Sequence, residues 1–184
     1  MQDSRKKGLR VEKNQIWKKE LLSFTLQIII MMAIVLFIQK SLIVNAKIPS
    51  GSMENTIMTG DRLIALRVSY WFHGPERQDI IIFPDPDTGE ELFIKRVIGL
   101  PNDTVEGRNG QVYVNGELLM EPYLAEKIKE DFGPYQVPED SYFVMGDNRN
   151  HSWDSRYWER TFVEKEKILG KAFVRYYPSY KRIY

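Results

Sequence analysis

The chain has no cysteine and only two histidines, and its formal net charge is +1. Without cysteine there is no disulfide, no thiolate nucleophile and no cysteine-ligated metal. His73, in WFHGPE, and His151, in a polar stretch, have no carboxylates at ligand spacing, so neither a zinc site nor any other cofactor is expected. The near-neutral charge, with no basic patch interleaved with aromatics beyond the N-terminus, gives no electrostatic case for nucleic acid, and none is expected as a partner. Charge is also missing from one long segment. Between Leu21 and Gln39 (LLSFTLQIIIMMAIVLFIQ) no side chain is ionisable.

As a helix, that segment is about 28 Å long, enough for the hydrocarbon core of a bilayer. A cleaved signal peptide has a shorter apolar core of about 7–15 residues, although Val44-Asn45-Ala46 does offer a small-x-small site. The reading is an uncleaved transmembrane helix at residues 21–39, preceded by a basic tail at residues 1–20. Arg5, Lys6, Lys7, Arg10, Lys13, Lys18 and Lys19 lie before it, against mainly Lys40 and Lys47 after it. That asymmetry predicts a cytoplasmic N-terminus, with residues 40–184 facing outward. The remainder is long enough for one domain with a core of its own.

That domain reads as mostly β. Short apolar runs bounded by turn signals recur at Arg62–Leu66, Asp79–Phe83, Leu92–Ile94, Val112–Val114, Ser141–Met145 and Ala172–Tyr177. Asn109-Gly110 and Asn115-Gly116 suit type I′ turns and predict hairpins, while Pro84 to Gly89 predicts a loop. Only Glu121–Asp131 and Val163–Leu169 suggest short helices. A small excursion is expected at about residues 102–140.

Ser52, in PSGSMENT just beyond the apolar segment, is a candidate nucleophile that needs a base. Lys95 sits in FIKRVIG, where period-two alternation puts it on the side of Phe93 and Val97. Apolar neighbours disfavour the ammonium form and can turn the amine into a base near neutral pH. The same pattern also suits a lysine whose stem packs while its head reaches water. Arg96, which does not deprotonate, suits an ion pair.

PSGSMENT, GDRLIAL, IKRVIGLPNDTVE and FVMGDNRNHSWDSR, in this order after an apolar segment, resemble the bacterial type I signal peptidases (leader peptidases) from about Ala46 to Ile168. The resemblance implies two antiparallel β-sheets with a small inserted subdomain. The implied activity is a membrane-anchored serine endopeptidase that removes signal peptides from secretory preproteins, cutting after small residues of the Ala-X-Ala kind. It implies Ser52 as nucleophile, Lys95 as general base, and an oxyanion hole of the Ser50 hydroxyl and the Ser52 amide. Ser152 would orient the Lys95 amine, Asp147 would pair with Arg96, and Asp154 and Arg156 would brace the same loop. Ile48, Pro49, Met53, Ile57, Ile82, Phe93 and Ile94 would wall shallow substrate pockets. The implied partners are preproteins, the lipid bilayer and, by proximity, the protein-export channel.

Two positions depart from the family pattern. Asn55 replaces a proline, a change expected to loosen the turn by about 0.4–1 kcal/mol of unfolded-state entropy. Asn102 replaces a glycine and is expected to keep a positive φ. Two rival readings are a self-cleaving Ser-Lys repressor, which would carry a DNA-binding helix-turn-helix where this chain has its apolar segment, and a catalytically silent membrane-anchored assembly partner, which would not need both Ser52 and Lys95.

Overall fold

The computed structural model describes the backbone of residues 2–183 and the side chains from Trp17 onward. The side chains of Arg5, Lys6, Lys7, Arg10 and Lys13, on which the expected orientation largely rests, lie outside the described residues. The chain divides into two compact units, Met1–Ser41 and Leu42–Tyr184.

The first unit is one helix, α1 (Gln2–Ser41), longer at both ends than residues 21–39. Its Trp17–Ser41 part has a mean hydropathy of 2.7 and is long and apolar enough to cross a membrane. The helix continues into the basic segment because lysine, arginine and glutamate are good helix formers and no proline interrupts them.

The second unit is built from antiparallel sheets. Its strands are β1 (Ile43–Lys47), β2 (Arg62–Leu66), β3 (Ile80–Pro84), β4 (Leu92–Gly99), β5 (Thr104–Arg108) and β6 (Gln111–Val114). They continue with β7 (Glu117–Leu118), β8 (Phe132–Gln136), β9 (Ser141–Met145), β10 (Val163–Glu164), β11 (Gly170–Tyr177) and β12 (Lys181–Arg182). The larger sheet runs β1-β2-β11-β3-β4-β9-β10, with β12 on β11, and the smaller runs β7-β6-β5-β8.

The apolar run in β3 is continuous because both faces are covered. Ile80 and Ile82 join a core with Met53, Leu63 and Ile94, whereas Ile81 and Phe83 join another with Val97, Tyr142 and Trp158. A third core, with Ile98, Phe143 and Met145 from the larger sheet and Val105, Val112 and Val114 from the smaller, holds the two sheets together. Asn109-Gly110 and Asn115-Gly116 both have positive φ at each residue and close the β5–β6 and β6–β7 hairpins, as type I′ turns require. Asn102 has φ 68°.

The two expected helices are corrected. Residues 121–131 form turns and bends, with Glu121 and Tyr123 turned toward buried arginines instead of following a helical stripe. Val163 and Glu164 pair with Tyr142 and Ser141 as β10, leaving only a 3₁₀ turn at Lys165–Lys167. Pro84, expected in the loop, ends β3 opposite Leu92.

Candidate active site

Between β1 and β2 the chain makes a closed loop. The Ile48 amide donates to the Asp61 carbonyl (2.9 Å), and the Gly60 amide donates to the Ile48 carbonyl (2.8 Å). Inside this base, the Thr56 and Ile57 amides both donate to the Met53 carbonyl, and the resulting turn sends Met53 and Ile57 into the core. Those two were expected as pocket walls. They pack into the core beneath the loop and do not line the cleft beside Ser52, so that assignment is corrected.

Ser52, one residue before the inward turn, meets Lys95 from the middle of β4. The Lys95 Nζ lies 2.7 Å from Ser52 Oγ, although 43 residues separate them in the chain. Both residues are buried, and the amine also lies 5.5 Å from the centre of the Phe93 ring. Burial pushes the Lys95 pKa down to about 8, opposed by the Asp154 charge, aided by Arg156 and opposed again by Asp147. A neutral amine at this distance can accept the hydroxyl proton.

The charged residues form a frame behind the pair. Arg96 reaches Asp147 through two parallel bonds, Nε to Oδ1 at 2.8 Å and an Nη to Oδ2 at 2.7 Å, and its other Nη donates to the Gln78 carbonyl. The Thr56 hydroxyl donates to the same Asp147 carboxylate. Arg156 binds Asp154 in the same forked way, and Asp154 accepts from the Gly146 amide at 3.0 Å. The loop after β9 returns to the Ser52 segment. The Asn148 backbone amide donates to the Ser52 carbonyl at 3.1 Å, and its side-chain amide donates to the Gly51 carbonyl at 3.0 Å.

Ser152 is buried here, but its hydroxyl has no hydrogen-bond partner. The expected bond to the Lys95 amine is therefore not formed in this arrangement. Ser50 is exposed beside Ser52, in a cleft of about 440 Å³. Ile48, Pro49, Ile82, Phe93 and Ile94 line that cleft together with Ser52 and Lys95. Leu92, Trp153 and His151 line it too. Trp153 is 60% exposed and stacked on Tyr157, with rings 5.5 Å apart and 12° from parallel. An aromatic beside Ser152 in NHSWDSR was the only trace of it in the sequence. Asn148, Arg149 and Glu121 were also missed. The first two sit in the quoted GDNRN stretch, and nothing in the sequence marks Glu121.

Over residues 21–177 the chain matches the family described as signal peptidase, peptidase S26. The chain belongs to this family. It is 49% identical over 136 residues to the probable signal peptidase I-2 of Synechocystis, an alignment spanning 71% of this chain and 62% of that one. With the signal peptidase I of Bacillus licheniformis it shares 36% identity over 177 residues, spanning 91% of this chain and 94% of the relative. A solved signal peptidase I from Enterococcus faecalis is 41% identical, with a TM-score of 0.47, and covers 53% of this chain and 95% of that one. The family match includes the apolar part of α1 from Leu21 on, which fits a membrane-anchored protein, as well as every residue of the Ser52–Lys95 frame.

Proposed function

We propose that this signal peptidase cuts preproteins with Ser52 as nucleophile and Lys95 as general base. The observation that carries the reading is the buried 2.7 Å approach of Lys95 Nζ to Ser52 Oγ in a pocket that favours the neutral amine. Ser52 Oγ attacks the scissile carbonyl while its proton passes to Nζ. The oxyanion is held by the Ser52 amide and the Ser50 hydroxyl, which stands in the same cleft. Collapse leaves an ester on Ser52 and expels the new N-terminal amine, protonated by Lys95. Water, deprotonated by the same amine, then frees the enzyme. Arg96, Asp147, Asp154 and Arg156 hold the loop. Ser152 orients Lys95 only if its unpartnered hydroxyl turns toward the amine when substrate binds.

The walls at Ile48, Ile82 and Ile94 are apolar and close-set, which supports cutting after small residues. The anchor and basic tail support a cytoplasmic N-terminus, with residues 40–184, including a small insertion at about 102–140, on the outer side near the export channel. An intact Ser-Lys pair at reacting distance speaks against a silent assembly partner, and α1 occupies the place of a repressor's DNA-binding region.

The test incubates the detergent-solubilised chain with a preprotein and sequences the new N-terminus. A cut after a small residue, lost in Ser52→Ala and in Lys95→Met, is expected. Cutting that persists in either variant overturns the dyad.

A further inference from the structure

We propose that Glu121 and Tyr123, which lie outside the reacting groups, are positioning residues that hold the Ser52 segment in register through two buried arginines. The proposal rests on the Ser52–Lys95 reading above. Arg149 is fully buried, and its two terminal nitrogens donate to the two carboxylate oxygens of Glu121, itself almost fully buried. Its Nε donates to the Gly146 carbonyl at 3.0 Å. The Arg149 carbonyl accepts in turn from Arg156, the partner of Asp154. The pair therefore fixes the backbone at Gly146, two residues before the Asn148 amide that holds the Ser52 carbonyl.

Tyr123 acts on the other arginine. Its ring lies beneath the Arg96 guanidinium, 3.9 Å from the central carbon, and its hydroxyl donates to Glu121 Oε1 at 2.7 Å. Arg96 ends on Asp147, and Asp147 accepts from Thr56, four residues after Ser52. One short Glu-Pro-Tyr segment thus touches both arginines, and each arginine leads to the Ser52 loop from a different side. A fully buried ion pair is poor evidence of stabilisation, since apolar residues of similar volume often serve as well or better. What Glu121 adds over an apolar side chain is a fixed direction for Arg149, and through it for the Gly146 carbonyl.

The test uses the full chain in detergent micelles, comparing Glu121→Ala, Glu121→Gln and Tyr123→Phe with the unaltered protein. Glutamine keeps the volume and one acceptor. Phenylalanine keeps the ring over Arg96 but releases Glu121. We expect kcat on a signal-peptide substrate to fall about tenfold or more in Glu121→Ala and less in Glu121→Gln, with KM within about twofold, because misplacing reacting groups slows the chemical step. Amide hydrogen exchange should quicken in residues 51–56 as well as in 146–149. Exchange that changes only near residues 121 and 149, or kcat unchanged in every folded variant, would overturn the proposal. If Glu121→Ala does not fold, the two milder variants decide by the same readouts. If even the unaltered protein cuts no preprotein, the activity reading fails while the exchange data still decide whether the segment holds the Ser52 loop.

Discussion

Gly146 stands against the backbone carbonyl of Ser52. A Cβ at Gly146 would overlap that oxygen and, on its other side, the Ser152 hydroxyl and Cβ. Gly146 is not needed for a left-handed turn, since its φ lies outside the positive range. It is needed because β9 ends where the Ser52 loop passes. Gly146→Ala must therefore push Ser52 away from Lys95 or break the bond from the Gly146 amide to Asp154. The expected cost is about 1–3 kcal/mol of stability from overpacking, with kcat reduced at least tenfold. Thermal unfolding and steady-state kinetics on the same preparation check it, and a fully active Gly146→Ala variant would contradict the packing.

The pH dependence follows from Lys95. Its amine must be neutral to take the Ser52 proton, and burial brings its pKa to about 8. The rate constant kcat/KM should therefore rise with pH through one ionisation near 8 and level off above it, reporting the free enzyme. A limb near the ordinary lysine value, or a profile flat from pH 6 upward with chemistry rate-limiting, would remove Lys95 from the base role. His151, although it lines the cleft, is exposed, and His151→Gln should leave the limb where it is.

The same burial has an effect on stability of definite sign. The folded-state pKa is depressed from about 10.5 to about 8, so the unfolded chain binds more protons between those values and stability rises with pH across that window. Below pH 8 the cost is fully present, about 3 kcal/mol at roughly 1.4 kcal/mol per tenfold change in proton affinity. Lys95→Met should thus be inactive yet more stable at pH 7, by about 1–3 kcal/mol after the lost bond to Ser52 is counted. The gain should shrink as pH approaches 10.5. Denaturant unfolding at pH 7 and pH 10 measures it, and a Lys95→Met protein less stable at pH 7 would show that the lysine is not desolvated.

The legible parts of the fold were those with local causes. The run Asp79–Phe83 reads as a strand, and the two Asn-Gly pairs announce their turns, because in each case the pattern lies within a few residues. β8 was not legible. It contains Gly133-Pro134, which reads as a break, yet it forms a strand because it lies at the edge of the smaller sheet, where a missing amide donor is tolerated. In the site, the quoted motifs hold Ser52, Lys95 and the frame of Arg96, Asp147, Asp154 and Arg156, but not Glu121 and Tyr123, which touch Arg149 and Arg96 from outside them. Glu121 meets Arg149 across 28 residues, and Glu-Pro-Tyr opens the stretch that reads as a short helix, with nothing local to mark its partner. Met53 and Ile57 stand four apart, so one turn buries both, whereas the family resemblance implied a place for them in the cleft.

Asn55 is where the family's usual residue and this backbone disagree. The expectation that asparagine merely loosens the turn is overturned by its φ of 82°, a conformation closed to proline, whose ring holds φ near −65°. Asparagine tolerates the left-handed region, and here that conformation lies inside the loop that turns Met53 and Ile57, one and five residues after Ser52, into the core. Restoring proline should therefore destabilise this chain by more than the 0.4–1 kcal/mol that a compatible proline would add. Asn55→Gly, which accepts the same φ, should change stability by only a few tenths of a kcal/mol to about 1 kcal/mol. Activity should follow the backbone, with Asn55→Pro losing kcat because Ser52 shifts relative to Lys95, and Asn55→Gly staying near the unaltered value. Melting temperatures and kcat of the two variants, measured together, test this. An Asn55→Pro chain that melts higher and keeps its rate would mean that the loop accepts the family's turn without moving Ser52.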